Sequence, residues 1–149
     1  MRTLSLLAVL GLSLVACEPA ETPGAGPTEP VNLNTGTEED FRTIPGVGDR
    51  MVHEFEEYRP YSSIEQFRRE IGKYVDEEQV AAYEQYVFVP INVDQSDAAT
   101  LDQLPGVGEA EAAMLAEGLP YGSAEAFLTR YAEVVPDADR EAAARYLAE

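Results

Sequence analysis

The sequence is poor in the residues that catalysis and metal binding use most often. It contains one cysteine, Cys17, one histidine, His53, and no tryptophan. A single cysteine excludes an intramolecular disulfide, and no Cys/His cluster is present that could hold zinc. His53 stands among Glu54, Glu56 and Glu57, a pattern typical of a solvated helix face and not of a Ser-His-Asp triad. We therefore expect no enzymatic activity, no metal, no cofactor and no small-molecule substrate.

Positive charge is also scarce. Ten Lys and Arg residues stand against 28 Asp and Glu residues, which gives a formal net charge of −18, and Lys73 is the one lysine. So acidic a surface repels polyanions at long range unless its few cations lie together. An origin in strong salt is another cause of such acidity, because about 1 M salt shortens the Debye length to roughly 3 Å.

Long apolar runs are missing as well. The longest run, 4–15, is shorter than the roughly 20 residues that cross a bilayer, so it predicts a secretory signal peptide over 1–16. It ends in the string LVAC, which resembles the lipobox of bacterial lipoproteins and implies that Cys17 is lipidated and holds the protein on the membrane. An ordinary cleaved signal with an incidental cysteine is the alternative. We expect an extracytoplasmic protein of the bacterial cell envelope, and Glu18 in place of an aspartate favours the outer membrane.

The residues after the signal peptide predict a tether followed by two copies of one unit. Residues 17–30 hold four prolines and two glycines and predict a disordered tether. From there the chain repeats at a spacing of 60, so that IPGVG at 44–48 returns as LPGVG at 104–108. The predicted units are 31–90 and 91–149. Units of about 60 residues are small for an independent core, so we expect them to pack against each other.

The local signals within each copy are helical. The strings TGTE at 35–38 and SSIE at 62–65 have the form of capping boxes, and Asp76 can cap a last helix over 77–86. Alternation typical of a strand is confined to the short segment 87–93. The predicted fold class is all-α.

The repeated Pro-Gly-Val-Gly turn is the feature that carries chemistry. Its glycines adopt backbone angles closed to other residues and remove side-chain bulk. The amides at the start of the next helix are then left unpaired, and the helix dipole also favours an anion there. In the first copy the turn contains Gly46, Val47 and Gly48, with Arg42 and Arg50 on either side. These five residues are the candidate phosphate-binding site.

The stretch VNLNTGTEEDFRTIPGVG at 31–48 resembles ComEA, the DNA-receptor family of natural competence. The match continues through YRPY at 58–61 and SIEQF at 63–67. It covers nearly all of 31–86 and, more loosely, 91–146. The resemblance implies two tandem helix-hairpin-helix (SAM/HhH2-like) units of about 60 residues packed together. It also implies duplex DNA as the partner, bound through its backbone without sequence specificity.

The sequence departs from this family around both turns. Three positions after the turn's second glycine, where the family usually has Lys, this chain has Met51 and Glu111. The second turn consists of Gly106, Val107 and Gly108. It is followed by Glu109 and Glu111 with no cation near, and two carboxylates would repel a phosphate. We therefore expect the second turn to be structural.

The charge of each copy leaves two functions open. Residues 31–90 hold 13 acids and 6 bases, and residues 91–149 hold 12 acids and 3 bases. The first hypothesis is duplex DNA binding by the first copy. The alternative is a structural or protein-interaction module of an envelope complex, as in the extrinsic PsbU subunit of photosystem II, which resembles the same family.

Overall fold

The computed structural model describes residues 26–148, and this part of the chain is mostly helical. The prediction of a mainly α-helical chain is confirmed. The helices and strands are, in chain order, β1 (Val31–Asn32), α1 (Glu38–Arg42), α2 (Asp49–Glu57), α3 (Ile64–Ile71), α4 (Glu77–Glu84), β2 (Val87–Phe88), α5 (Ala98–Leu101), α6 (Glu109–Ala116), α7 (Ala124–Val134) and α8 (Arg140–Ala144).

The first helix begins two residues later than the sequence predicts. Its N-cap is Thr37, whose backbone N–H donates to Asp40 Oδ2 at 2.9 Å while Asp40 N–H donates to Thr37 Oγ1 at 3.2 Å. The predicted box at 35–38 is wrong because Thr35 belongs to a preceding turn. There its N–H donates to the carbonyl oxygen of Asn32 at 3.3 Å.

Side-chain caps also fix the starts of α3 and α4. Ser63 is the N-cap of α3 and accepts from the backbone N–H of Gln66 at 3.1 Å, so the cap lies one residue after the predicted Ser62. Ser62 instead donates its hydroxyl to the side-chain oxygen of Gln66 at 2.9 Å. Asp76 caps α4, as predicted, by accepting from Gln79 N–H at 2.9 Å.

The first half of the chain has an aromatic core centred on Phe55 of α2. Its ring lies 5.4 Å from Phe41, 5.5 Å from Phe67 and 5.6 Å from Tyr83, measured between centroids, and all three pairs are edge-to-face. Edge-to-face pairs at this distance add to the stabilisation from burial. These four side chains come from α1, α2, α3 and α4, so the core joins all four helices.

The second half has its own core and closes in the same way as the first. In the first half Val31 N–H donates to the carbonyl of Tyr86 at 2.7 Å, and β1 and β2 pair in parallel with Val31 opposite Val87. Sixty positions later Ile91 N–H donates to the carbonyl of Tyr146 at 2.7 Å, and Ile91 forms a parallel bridge with Leu147. The backbone thus repeats the spacing of 60 that the sequence shows. The buried apolar residues of the second core are Ile91, Leu101, Leu104, Ala112, Leu115, Phe127, Tyr131, Val135 and Ala143.

The two halves contact each other through polar and aromatic groups at a shared seam. The first amide of α3, on Ile64, donates to the hydroxyl of fully buried Thr100 at 3.0 Å. Val89 N–H donates to the side-chain oxygen of Gln103 at 2.9 Å. Side chains of the second half thus accept hydrogen bonds from backbone N–H groups of the first half that would otherwise be unsatisfied.

Several sequence predictions lie outside the described residues. The signal peptide at 1–16 and the lipidation of Cys17 belong to this part of the chain. Of the predicted tether, residues 26–30 are described, and Glu29 forms an ion pair with Arg145 of the second half at 2.7 Å. Between residues 26 and 148, none of the helices has both the length and the apolar composition needed to cross a bilayer.

Candidate functional site

The first Pro-Gly turn is anchored to the hydrophobic core of the first half. Ile44 and Val47 are buried, and Val47 N–H donates to the carbonyl of Ile44 at 3.1 Å. Gly46 has φ of +81°, a left-handed conformation that favours glycine. Tyr83 of α4 donates its hydroxyl to the Gly46 carbonyl at 3.0 Å. The following Gly48 is the N-cap of α2 and offers no side chain to that helix.

The outer side of this turn is open. A Cβ atom built on Gly48 would meet no atom within 4 Å, and one built on Gly46 would have Gln79 Nε2 as its nearest neighbour at 3.4 Å. Within residues 26–148, no atom accepts a hydrogen bond from the backbone N–H of Gly48, Asp49 or Arg50. The leading amides of α2 therefore face solvent, where an anion can reach them.

The second turn has a similar backbone, but a carboxylate of its own helix covers the first of its outer amides. Gly106 has φ of +71°, and Tyr131 donates its hydroxyl to the carbonyl of Pro105 at 2.6 Å. The Gly108 N–H, however, donates to Glu111 Oε2 at 3.2 Å. The chain's own carboxylate thus takes the place that a phosphate would need. The second turn is closed by this hydrogen bond in addition to the repulsion that the sequence suggests.

Arg42 lies beside the first turn, but two carboxylates hold it. Its guanidinium contacts Glu38 Oε2 at 2.8 Å and Asp49 Oδ1 at 3.0 Å. The hydrogen bonds to Glu38 and then to Asp49 raise the pKa of Arg42 above its usual value. The Asp49 side chain is 89% exposed at the first position of α2. Arg42 therefore neutralises local acids and adds no net positive charge at the turn.

Ion pairing holds almost every cation of the described chain. Of the nine Lys and Arg residues within 26–148, eight have a carboxylate oxygen within 4 Å. The paired residues are Arg42, Arg59, Arg68, Arg69, Lys73, Arg130, Arg140 and Arg145. The exception is Arg50, whose guanidinium carbon lies 5.4 Å from the ring centroid of Tyr74. Among the described residues, Arg50 is thus the cation at the first turn that has no carboxylate partner.

In the described region, the histidine and the acidic residues form no metal-binding cluster. The His53 side chain is 73% exposed and lies 3.6 Å from Glu57. No group of three or more His, Cys, Asp or Glu side chains between residues 26 and 148 is placed to hold a metal ion.

Sequence reasoning missed the side chains that distinguish the two turns. The hydrogen bond from the Gly108 amide to Glu111 was not predicted. The signal that could have revealed it is their offset of three residues, which is that of a capping box. The sequence also showed no sign that Tyr83 and Tyr131 bond the turn carbonyls. These two tyrosines are not sixty residues apart, so the repeat could not have revealed their shared role.

Comparison with known proteins found no match to this chain among protein-family models, curated proteins or solved structures. The resemblance to ComEA rests on the quoted sequence motifs.

Proposed function

We propose that this is an exported, lipid-anchored, non-enzymatic protein built of two tandem helix-hairpin-helix units, and that its first unit binds the backbone of duplex DNA without sequence specificity. The contrast between the two turns carries the proposal. At the first turn the N–H of Gly48 has open space around it. At the second turn the corresponding N–H of Gly108 donates to Glu111. Binding by one turn leaves the second unit as a rigid support.

Backbone amides and one guanidinium supply the binding chemistry. Amides at a helix N-terminus bind phosphate oxygens, and the helix dipole favours the negative charge. Arg50 stands two residues after Gly48 and has no carboxylate partner among the described residues. Such contacts reach phosphates and not base edges, so they carry no sequence information.

The acidic surface sets the strength of this binding. Each phosphate that a protein cation neutralises contributes about −0.9 to the slope of log K against log salt. Since Arg50 is the free cation of the first turn, we expect weak binding with a slope of about −1 to −2. A protein that bound through a broad basic face would show a far steeper slope.

A protein-interaction role is the second candidate, and the ion pairing favours it. Eight of the nine described cations already have carboxylate partners, so little free positive charge is left for a polyanion. The hydrogen bond from Ile64 N–H to the Thr100 hydroxyl also joins the two halves, which suits a rigid surface for a neighbouring protein.

Titration of labelled duplex DNA with the full chain in mild detergent separates the two functions. At about 20 mM salt we expect binding that weakens at about 150 mM and that Arg50→Glu lowers about tenfold or more. Arg130→Glu is the matched control, because it makes the same change of charge at a partly exposed arginine of the second half. Absence of binding at the lower salt contradicts the DNA proposal and leaves the protein-interaction role. Equal losses from both variants would contradict the assignment to the first turn.

A further inference from the structure

Two cations and two tyrosines form a continuous patch beside the first turn. Arg50 lies over the ring of Tyr74, and Lys73 Nζ lies 5.0 Å from the ring centroid of Tyr58. The two tyrosine hydroxyls bond each other at 2.8 Å. Tyrosine rings attract cations at their faces, so this arrangement holds two positive charges on one surface of an acidic protein.

The same helix that carries Arg50 also carries a buried carboxylate, Glu54. Glu54 is 7% exposed, and among the described residues its Oε2 is the one buried side-chain oxygen or nitrogen that makes no hydrogen bond. It follows Arg50 by four residues on α2, a spacing at which opposite charges normally meet. The hydrogen bond with Tyr58 and the neighbouring carboxylate of Glu54 raise the pKa of Tyr74 above its usual value. Tyr74 contacts Arg50 with its ring face and Tyr58 with its hydroxyl.

We propose that Arg50 and Lys73, supported by the Tyr74–Tyr58 pair, form a second phosphate subsite next to the first turn, and that Tyr74 is a positioning residue that keeps Arg50 away from Glu54. The ligand class is a phosphodiester of the nucleic-acid backbone, so this inference rests on the proposed function. A guanidinium stacked on a ring keeps its N–H edge free to donate, whereas an ion pair with Glu54 would occupy that edge.

The local charge of the patch agrees with an anionic ligand. Lys73 and Arg69 both pair with the single carboxylate of Glu70. These three side chains carry one net positive charge, which a phosphate can neutralise.

The extent of the patch fits more than one phosphate. Arg50, near the start of α2, and Tyr58, the residue after its last, are eight positions apart, which is about 12 Å at 1.5 Å per residue. Phosphates of one DNA strand follow one another at about 3.4 Å along the duplex axis. The open turn and the patch can therefore contact different phosphates of the same strand.

The second half lacks the whole patch. Sixty positions after Arg50, Glu54, Tyr58, Lys73 and Tyr74 the chain has Ala110, Met114, Gly118, Glu133 and Val134. The second half therefore serves as an internal control for each of these side chains.

DNA titration of full-chain variants in mild detergent tests this inference. We expect Tyr74→Leu to weaken binding about five- to tenfold, because Arg50 then turns to Glu54. The double variant Tyr74→Leu/Glu54→Gln is expected to recover affinity to within about twofold of Glu54→Gln alone. Val134→Ala, at the matching position of the second half, is the control and should bind like the wild type.

The outcomes separate this inference from the proposed function. If the wild type binds and Tyr74→Leu binds equally well, the subsite is overturned and the function stands. If Glu54→Gln does not rescue Tyr74→Leu, the positioning role of the tyrosine is overturned. Absence of wild-type binding at about 20 mM salt overturns the function and the subsite together.

Discussion

At the scale of single residues, the second glycines of the two turns both follow Pro-Gly-Val and have different surroundings. Gly48 has open space around it, whereas the amide of Gly108 bonds Glu111. The sequence predicts the turns and their glycines, because Pro-Gly-Val-Gly leaves few other conformations. It cannot predict which carboxylate bonds which amide, since several acids lie within reach and small differences in backbone position select among them.

A substitution at Gly48 should separate stability from binding. Serine at an N-cap stabilises a helix by a few tenths of a kcal/mol relative to glycine, and aspartate behaves similarly. Both Gly48→Ser and Gly48→Asp should therefore keep or raise the thermal midpoint, because the new side chain meets no neighbouring atom. Both should weaken DNA binding, and Asp should do so more strongly because it adds a negative charge at the phosphate site. Circular dichroism melts and DNA titrations measure the two effects. A lower midpoint, or unchanged binding in Gly48→Asp, would refute this view of the turn.

The capping box of α1 should add a small amount to the free energy of unfolding, and this stabilisation should disappear in acid. Hydrogen bonds from the backbone and side chain of Thr37 lower the pKa of Asp40 below its usual value of 3.8. A lowered pKa means that the stabilisation is complete above about pH 4 and is lost as the pH falls through the folded-state value. Asp40→Asn should lower the free energy of unfolding by about 0.5 kcal/mol at pH 7, since this exposed box is well solvated. Urea unfolding at pH 7 and near pH 3 should show the difference between variant and wild type shrinking in acid. A difference that grows in acid would contradict the assignment.

At the scale of the elements, the caps and the turns show how far local sequence signals extend. Asp76 caps α4 where the sequence predicts it, while the caps of α1 and α3 lie two residues and one residue later. At α1 the N–H of Thr35 donates to the carbonyl of Asn32, a residue of β1 that pairs with Phe88 of β2. Pairing between segments over fifty residues apart is not visible in a local capping pattern.

Exchanging two residues should give the second turn the binding chemistry of the first. The variant Ala110→Arg/Glu111→Met gives α6 the same second and third residues as α2, namely Arg and Met. It removes the carboxylate that bonds Gly108 and adds a guanidinium at the position of Arg50. We expect tighter DNA binding and a salt slope more negative by about one. Glu109→Gln removes one acid without opening the turn and is the control. Equal gains from both would mean that net charge, and not the open turn, governs binding.

At the scale of the whole molecule, the repeat predicted two units, and the backbone hydrogen bonds repeat at the same spacing. The seam between the halves was predicted only as close contact. Its details come from residues that have no counterpart in the pattern, such as Thr100, whose buried hydroxyl accepts from the Ile64 amide. A single buried acceptor of this kind leaves no periodic trace in a sequence.

Loss of the seam hydrogen bond should destabilise the entire chain. Thr100→Val keeps the shape of the side chain but leaves the buried amide of Ile64 without an acceptor. We expect a loss of about 1–3 kcal/mol in the free energy of unfolding. Thr129→Val is the matched control, because the exposed Thr129 hydroxyl bonds only a carbonyl of its own helix. Denaturant unfolding measures both. Equal stability of Thr100→Val and wild type would show that the seam does not depend on this bond.

Amide chemical shifts of the uniformly ¹⁵N-labelled full chain in detergent, titrated with a short DNA duplex at low salt, test the central claim most directly. The open first turn predicts that the amide signals of Gly48, Asp49 and Arg50 move with added duplex, while that of Gly108, bonded to Glu111, stays in place. Equal movement at both turns, or none at the first, would contradict it.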